Sequence, residues 1–271
     1  MKCSTAAHWV RQVRTVPISR FWSSSLASYW PPTADLPDPF YSCVPDDVVV
    51  VDVEASGYWR AGNPRKDRVI EVGAVRLRGP VVVDTFQSLV QYSGLLSTDI
   101  INLTRITPDM LRTAPDVKSV LSSLERFIGT DTLVAHNASF DVSFLQWEFL
   151  HERIAAPRAL QPSVPSSMPE HLPKVLCSLK IARRVFKETQ SHSIESLIGY
   201  LKLLPPQQGL HRALGDAMST SEIWNIMMKS IQTMTRNHRY PSLQLLDALQ
   251  TGKIAEFESI CRTWQFKELD C

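Results

Sequence analysis

Residues 48–57 read Val48-Val49-Val50-Val51-Asp52-Val53-Glu54-Ala55-Ser56-Gly57. The valine run is typical of a strand buried on both faces, because β-branched side chains fill a pleated interior. Side chains alternate along a strand, so Asp52 and Glu54 leave the same face and lie close enough to hold one cation together. These ten residues leave two interpretations open, a metal-binding strand end and a strand that runs into a polar turn.

The composition indicates one catalytic-size domain with appendages, since the chain has 271 residues, of which 44% are hydrophobic and 21% charged. A formal net charge of +2 does not by itself indicate a nucleic-acid-binding protein, so any such surface must be local. The five cysteines show no Cys-x-x-Cys spacing, which argues against a disulfide framework or a zinc knuckle and favours a reducing compartment. No apolar run has the length of a membrane span, so we expect no membrane partner.

The chain divides into three predicted units. Residues 1–34 contain four basic and no acidic residues, a composition that suits both a mitochondrial transit segment and a basic arm docked on the core. Prolines then punctuate a linker up to Pro45. We therefore predict an arm or transit segment plus linker over 1–46, a catalytic domain over 47–230 and a helical extension over 231–271. The predicted localisation is cytoplasmic, or mitochondrial if residues 1–34 are a transit segment.

Hydrophobic spacing predicts strands that are followed mainly by helices. Residues 69–77 and 81–86 continue the first strand into a three-stranded antiparallel start. A helix is predicted after Pro115, and a strand at 132–135 crosses over to a helix at 140–153. Residues 154–173 form a proline-rich loop, and helices follow at 176–187, 193–203 and 212–230. The tail 240–271 has helical periodicity, which leaves packing on its own core and partner binding open. The pattern indicates a mixed-sheet α/β fold.

Two further carboxylates complete a candidate site. Asp141 falls in the first turn of its helix, where the helix dipole alone also favours an acid. Five residues at about 100° each would put His211 roughly 140° from Asp216 on one helix, so His211 is expected on the lead-in. A histidine placed there can act as a general base. Four carboxylates without cysteine or clustered histidine suit two Mg²⁺ or Mn²⁺ ions.

Three segments resemble the exonuclease motifs of the DEDDh 3′-5′ exonucleases, the superfamily of polymerase proofreading subunits, RNase T and oligoribonuclease. They are Asp52-x-Glu54, the segment 133–141 and the segment 211–217, and the similarity extends over residues 47–229. The resemblance implies an α/β, ribonuclease-H-like fold with a mixed five-stranded sheet flanked by helices. It also implies that Asp52 bridges both ions, Glu54 and Asp216 help to hold the ion that activates water, Asp141 supports the second ion, and His211 accepts the proton.

The same resemblance implies a function and a set of partners. The expected reaction is 3′-5′ hydrolysis of DNA, with a single-stranded 3′ end favoured, releasing nucleoside 5′-monophosphates. RNA trimming and a non-catalytic nucleic-acid- or polymerase-binding subunit are the alternatives, and a DNA polymerase or a second copy of the chain is a possible partner. The candidate substrate-binding residues are Ala55, Ser56, Thr104, Arg105, Ile106, His136, Asn137 and Phe140.

Three features depart from the family pattern. Ala55-Ser56 stands where the family often has Thr-Thr, next to the expected position of the terminal nucleotide. Arg105 replaces a usual glycine, which removes conformational freedom if the backbone there has a positive φ. The segment 57–67 interleaves aromatic and basic residues, which suits either single-strand contacts or a solvated loop.

Overall fold

The computed structural model describes residues 47–57, 67–161, 174–206, 209–236 and 240–267. The predicted arm and linker, the basic and aromatic residues of 58–66, and most of the predicted loop 154–173 lie outside the described residues. Among the described helices, none combines the length and the apolar character needed to cross a membrane. In chain order the elements are β1 (Val48–Ala55), β2 (Val69–Arg78), β3 (Val81–Leu89), α1 (Thr98–Thr104), α2 (Pro108–Arg112), α3 (Val117–Ile128), β4 (Thr132–Ala135), α4 (Ser139–Glu152), β5 (Val175–Cys177), α5 (Ser178–Val185), α6 (Ile194–Leu201), α7 (Ala213–Thr235), α8 (Leu243–Thr251) and α9 (Phe257–Lys267).

The strands form one mixed sheet in the order β3-β2-β1-β4-β5. Strand β2 pairs antiparallel with both β1 and β3, whereas β4 pairs parallel with both β1 and β5. The predicted antiparallel start and the ribonuclease-H-like five-stranded sheet flanked by helices are therefore confirmed. Strand β1 occupies the centre, where its valines have helices on both sides.

The alternation of β1 decides which helix meets its carboxylates. Val48 and Val50 belong to the core that the sheet shares with α5 to α9, while Val49, Val51 and Val53 belong to the core shared with α3 and α4. The even-numbered side chains therefore point towards the α7 layer. Asp52 and Glu54 continue this face, so the long helix α7 is the element that can complete their site.

Strand β5 corrects the predicted helix at 176–187. Leu176 and Cys177 pair with Val134 and Ala135 of β4, and the helix begins only at Ser178. The prediction was wrong at its start because a three-residue strand has too few residues to show a period, and its pairing with β4 decides its conformation. The short helices α1 and α2 were also absent from the sequence prediction, because each is shorter than the window in which a helical period can be seen.

The C-terminal helices pack on the chain's own core. Helix α7 runs to Thr235, so the boundary predicted between residues 230 and 231 falls inside it. Leu246 and Leu249 of α8 and Phe257 of α9 are buried in the same cluster as α7. The side chain of Gln250 accepts a hydrogen bond from the N–H of Cys177 (2.8 Å) and donates one to the carbonyl of Val175 (3.1 Å), which covers the free edge of β5. Of the two interpretations of the tail, the structure supports packing on the core.

Gly73 lets α7 approach β2 closely, and we expect Gly73→Ala to lower the free energy of unfolding by about 3 kcal/mol or more. An added Cβ would overlap the backbone of Ala213 and Leu214, which cannot rotate away as a flexible side chain can. Gly199→Ala is the matched control, because a Cβ there meets nothing within 4 Å and alanine favours the helix by about 0.5–1 kcal/mol. Urea unfolding of both variants measures the difference, and equal stabilities would contradict the close approach.

Candidate active site

Three carboxylates converge at the C-terminal end of β1. Asp52, Glu54 and Asp216 each offer one oxygen, and these oxygens lie within 4.8 Å of one another. The first two leave the α7 side of β1, and Asp216 comes from the first turn of α7. Elements separated by more than 150 residues in sequence thus meet at one point. Oδ1 of Asp216 is buried and has no hydrogen-bond partner among the described residues.

Asp141 lies beside this cluster, where β1 and β4 separate. The pairing of β1 with β4 extends from Val48 to Val50, and among the described strands none pairs with the later residues of β1 on that side. The first turn of α4 enters this fork, and Oδ1 of Asp141 accepts the N–H of Val53 (3.1 Å). The carboxyl group is buried, with 2% of the residue exposed. Asp141 is therefore fixed to the backbone residue between Asp52 and Glu54.

Burial is the main cause that raises the pKa of each of these carboxyl groups, and the charges of nearby carboxylates add to it. Burial raises the pKa of Glu54 to about 8, with the charge of Asp216 as the next cause, and burial raises the pKa of Asp141 to about 8. Burial raises the pKa of Asp216 to about 6, against the opposing hydrogen bond from the N–H of His211. The pKa of Asp52 lies well above its usual range because of burial and the charge of Asp141. A bound divalent cation would favour the ionised form of these carboxyl groups and so oppose the effect of burial on their pKa values.

His211 lies on the lead-in to α7, two residues before the helix begins. Its backbone has a φ of 62°, and its N–H donates to Oδ2 of Asp216 (3.1 Å). The backbone is therefore tied to one of the three converging carboxylates while the residue itself is exposed. A side chain anchored in this way can reach a ligand at the site from the solvent side.

Two buried glutamates, neither of them a predicted site residue, support the site. Glu148 of α4 accepts the N–H of Val69 (3.0 Å) and hydrogen bonds from the guanidinium of Arg68, which fixes α4 to the start of β2. Glu71 of β2 accepts hydrogen bonds from Arg212 and from the start of α7. For Glu71, the available signal was a charged residue inside an apolar strand, since such a group needs a partner when buried.

Ala55 and Ser56 are buried rather than open to a ligand. The hydroxyl of Ser56 accepts the N–H of Arg68 (2.9 Å), and the N–H of Ser56 donates to the carbonyl of Arg68 (2.9 Å). These bonds join the two ends of the segment 57–67. The structure thus gives Ser56 a role in closing this segment, and its predicted contact with substrate stays a prediction.

Of the three predicted residues at the end of α1, only Arg105 is exposed. The Thr104 hydroxyl donates to the carbonyl of Ile100 (2.9 Å) and accepts the N–H of Ile106 (3.1 Å), and both Thr104 and Ile106 are buried. Arg105 ends the helix with a φ of 60°, in the left-handed region that favours glycine. The sequence left open a positive φ at this position, where the family usually has glycine, and the structure shows one. Arg105 is the member of this group that can reach a ligand.

His136 is held within the protein, whereas Asn137 is exposed with a φ of 65°. The ring nitrogens of His136 lie 3.0 Å from the hydroxyl of Ser178 and 2.7 Å from the carbonyl of His192. Burial lowers the pKa of His136 to about 4, so its ring is neutral at pH 7. Phe140 is partly buried against Phe144. Both ring nitrogens of His136 have hydrogen-bond partners within the protein, so neither is free to bind a substrate. The predicted roles of Asn137 and Phe140 in substrate binding stay predictions.

Comparisons with known proteins identify the family and the fold of this chain. The exonuclease family model of the RNase T type matches residues 49–224, which include all four carboxylates and His211. The DNA polymerase III PolC-type protein of Oceanobacillus iheyensis is 34% identical over 194 residues, which is 71% of this chain and 12% of that protein. The chain therefore spans a small part of this relative's length.

Solved structures with the same fold include two exonucleases. A 3′-exonuclease, in a structure that describes 3′-end specific recognition of a histone mRNA stem-loop, has a TM-score of 0.54 at 20% identity, over 69% of this chain and 83% of that one. E. coli exonuclease I in complex with a dA16 oligonucleotide has a TM-score of 0.54 at 16% identity, over 69% of this chain and 41% of that one. These two likenesses concern the fold, whereas the family model covers the carboxylates and His211. The chain therefore belongs to the RNase T family of exonucleases, and the matched residues include the four carboxylates and the histidine of the DEDDh pattern named from the sequence.

Proposed function

We propose that this protein is a divalent-metal-dependent 3′-5′ exonuclease that releases nucleoside 5′-monophosphates from single-stranded DNA. The observation that carries the proposal is the convergence of Asp52, Glu54 and Asp216 to within 4.8 Å, with Asp141 fixed beside them. An exposed histidine, His211, borders the same cluster. This is the set of groups that hydrolysis of a phosphodiester requires, namely carboxylates for cations and a base for water.

The carboxylates fit a pair of Mg²⁺ or Mn²⁺ ions. Carboxylate oxygens are the ligands these hard cations prefer, and the unpartnered Oδ1 of Asp216 is the kind of buried acceptor that a cation would satisfy. Asp52, Glu54 and Asp216 would hold one ion, and Asp141 together with Asp52 would hold the second. When bound, two such ions activate a water and stabilise the leaving oxygen of the phosphodiester.

His211 is the proposed general base. Its exposed position lets the imidazole meet a water that approaches the cluster from solvent. The bond from its N–H to Asp216 keeps the backbone beside that carboxylate while the side chain remains open to the solvent. The residue can thus take a proton from water at the site and release it to bulk solvent after each turnover.

DNA is the favoured substrate because the relative from Oceanobacillus iheyensis is a DNA polymerase III PolC-type protein. A polymerase is accordingly a proposed partner, and self-association of the chain is the other possibility. The exposed Arg105 and Asn137 are the residues proposed to meet the 3′-terminal nucleotide. RNA remains the alternative substrate and is one arm of the test below.

Labelled oligonucleotides test the proposal directly. Purified protein is incubated with Mg²⁺ or Mn²⁺ and matched DNA and RNA strands, each with a paired or an unpaired 3′ end. We expect 5′-labelled single-stranded DNA to give a ladder shortened from its 3′ end, 3′-labelled DNA to release mononucleotide at once, and EDTA to stop both. Faster degradation of RNA would replace DNA as the substrate, and metal-independent binding without turnover would contradict the enzyme assignment.

A further inference from the structure

A fifth carboxylate, Glu71, lies beside the cluster without joining it. Glu71 is the register partner of Glu54 across β1 and β2, so the two side chains share a face of the sheet. It is completely buried. A buried carboxylate next to a candidate cation site could itself become a ligand of the cation. The position of Glu71 outside the ligand set therefore needs a physical cause.

Four donors saturate both oxygens of Glu71. Oε1 accepts from the NH2 group of Arg212 (2.7 Å) and from the side-chain amide of Gln87 (3.0 Å). Oε2 accepts from Nε of Arg212 (3.0 Å) and from the N–H of Ala213 (3.1 Å). Two parallel hydrogen bonds from an arginine to a carboxylate fix the orientation of the carboxylate and place a positive charge beside it. Glu71 is therefore paired with the guanidinium of Arg212 and oriented towards α7.

The bond to Ala213 also supplies what α7 lacks at its start. The residue before the helix, Arg212, makes no side-chain cap to the first turn, in contrast to the caps of α1 and α3. The first N–H groups of a helix need acceptors from elsewhere, and a carboxylate there also suits the helix dipole. Glu71 provides this cap from a different element of the fold.

We propose that Glu71 and Arg212 act as a positioning clamp that fixes the start of α7 on β2, and thereby places Asp216 and His211 beside Asp52 and Glu54. This inference rests on the proposed function of the same site. Arg212 is the neighbour of His211 in sequence, and Asp216 lies one helical turn after it, so a shift of Arg212 moves both. Glu71 and Arg212 are positioning residues, because neither one needs to touch a cation or a nucleotide to act.

Charge and position can be separated, because the two partners carry opposite charges. Arg212→Gln leaves an extra negative charge beside the cluster, and Glu71→Gln leaves an extra positive one. An effect of charge alone would change exonuclease activity in opposite directions in the two variants. The clamp instead lowers kcat in both, by about 10–100-fold, the usual effect of removing a partner that orients a metal ligand. We expect KM to stay within about threefold of the wild-type value.

Hydrogen–deuterium exchange of the full-length, metal-free protein provides a measurement that does not depend on activity. Peptides that cover residues 209–218 are expected to exchange about tenfold faster in both variants, since Glu71→Gln removes the charged cap of α7 and Arg212→Gln removes the paired bonds that hold this cap in place. The double variant should exchange no faster than the more affected single variant, because both substitutions remove one interaction. Arg212→Lys keeps the charge but not the fork and should lie between wild type and Arg212→Gln, which preserves a test if the other variants fail to fold.

Ile231→Ala is the matched stability control. This residue is completely buried on the same helix, about 22 Å along its axis from Asp216, and the substitution opens a cavity far from the clamp. We expect it to leave exchange at 209–218 and kcat as in wild type. Three outcomes would overturn the clamp. The first is unchanged exchange at 209–218 in both Glu71→Gln and Arg212→Gln. The others are effects on exchange that add in the double variant, and changes in kcat of opposite direction in the two single variants. A wild-type protein without nuclease activity would instead overturn the proposed function, and the exchange result would still decide the clamp.

Discussion

An Asp52→Asn variant is expected to lose at least about 10³-fold in exonuclease kcat. Asp52 lies at the centre of the cluster, on the same face as Glu54 and within 4.8 Å of the Asp216 ligand oxygen. An asparagine has the same shape but lacks the charge and one of the two oxygens that hold a cation. Metal-ion stabilisation of a transition state is worth several kcal/mol, and about 1.4 kcal/mol is a factor of ten in rate.

The measurement is single-turnover release of mononucleotide from labelled single-stranded DNA in Mg²⁺. Asp84→Asn is the matched control, because Asp84 is an exposed aspartate of the same sheet, and among the described residues its carboxylate accepts a hydrogen bond only from the neighbouring N–H of Thr85. The control should retain the wild-type rate. A rate for Asp52→Asn within about twofold of wild type would remove Asp52, and the site built on it, from the mechanism.

A Glu54→Gln variant is expected to be more stable than wild type in the absence of metal, and increasingly so as the pH rises. Burial raises the pKa of Glu54 in the folded protein to about 8, whereas the unfolded chain has the ordinary value of 4.5. Between these two pH values the folded state binds more protons than the unfolded state, so the wild-type free energy of unfolding falls as the pH rises. The variant lacks this group, and its advantage should grow from near zero at pH 4 to a few kcal/mol at pH 8.

Thermal unfolding in EDTA at several pH values measures this difference. Added Mg²⁺ at pH 8 should raise the melting temperature of the wild type more than that of Glu54→Gln, because a ligand that binds only the folded state stabilises it more when it binds more tightly. Glu188→Gln serves as the control, since Glu188 is an exposed glutamate outside the cluster. An advantage for Glu54→Gln that is equal at pH 4 and pH 8 would show that the carboxyl group does not titrate as its burial requires.

Local patterns were sufficient for the central elements of the fold. The β-branched runs of β1 and β2 predicted their strands, and the apolar stripe of α3 predicted that helix, because period and branching are properties of neighbouring residues. The same reasoning failed for β5, whose three residues are strand only because β4 and Gln250 occupy its two edges. The sequence of a three-residue segment does not show which remote parts of the chain will pair with it.

In the candidate site, too, some features followed from local sequence and others only from the tertiary structure. The sequence by itself determined that Asp52 and Glu54 share a face and that His211 precedes the helix of Asp216, because alternation and helical spacing are local geometry. Only the tertiary structure decided that Glu71, on the same face, is held apart from the cluster, because its partners Arg212 and Ala213 lie 141 and 142 positions away in sequence. A carboxylate becomes a ligand or a support according to the donors around it, and folding brings those donors from distant segments.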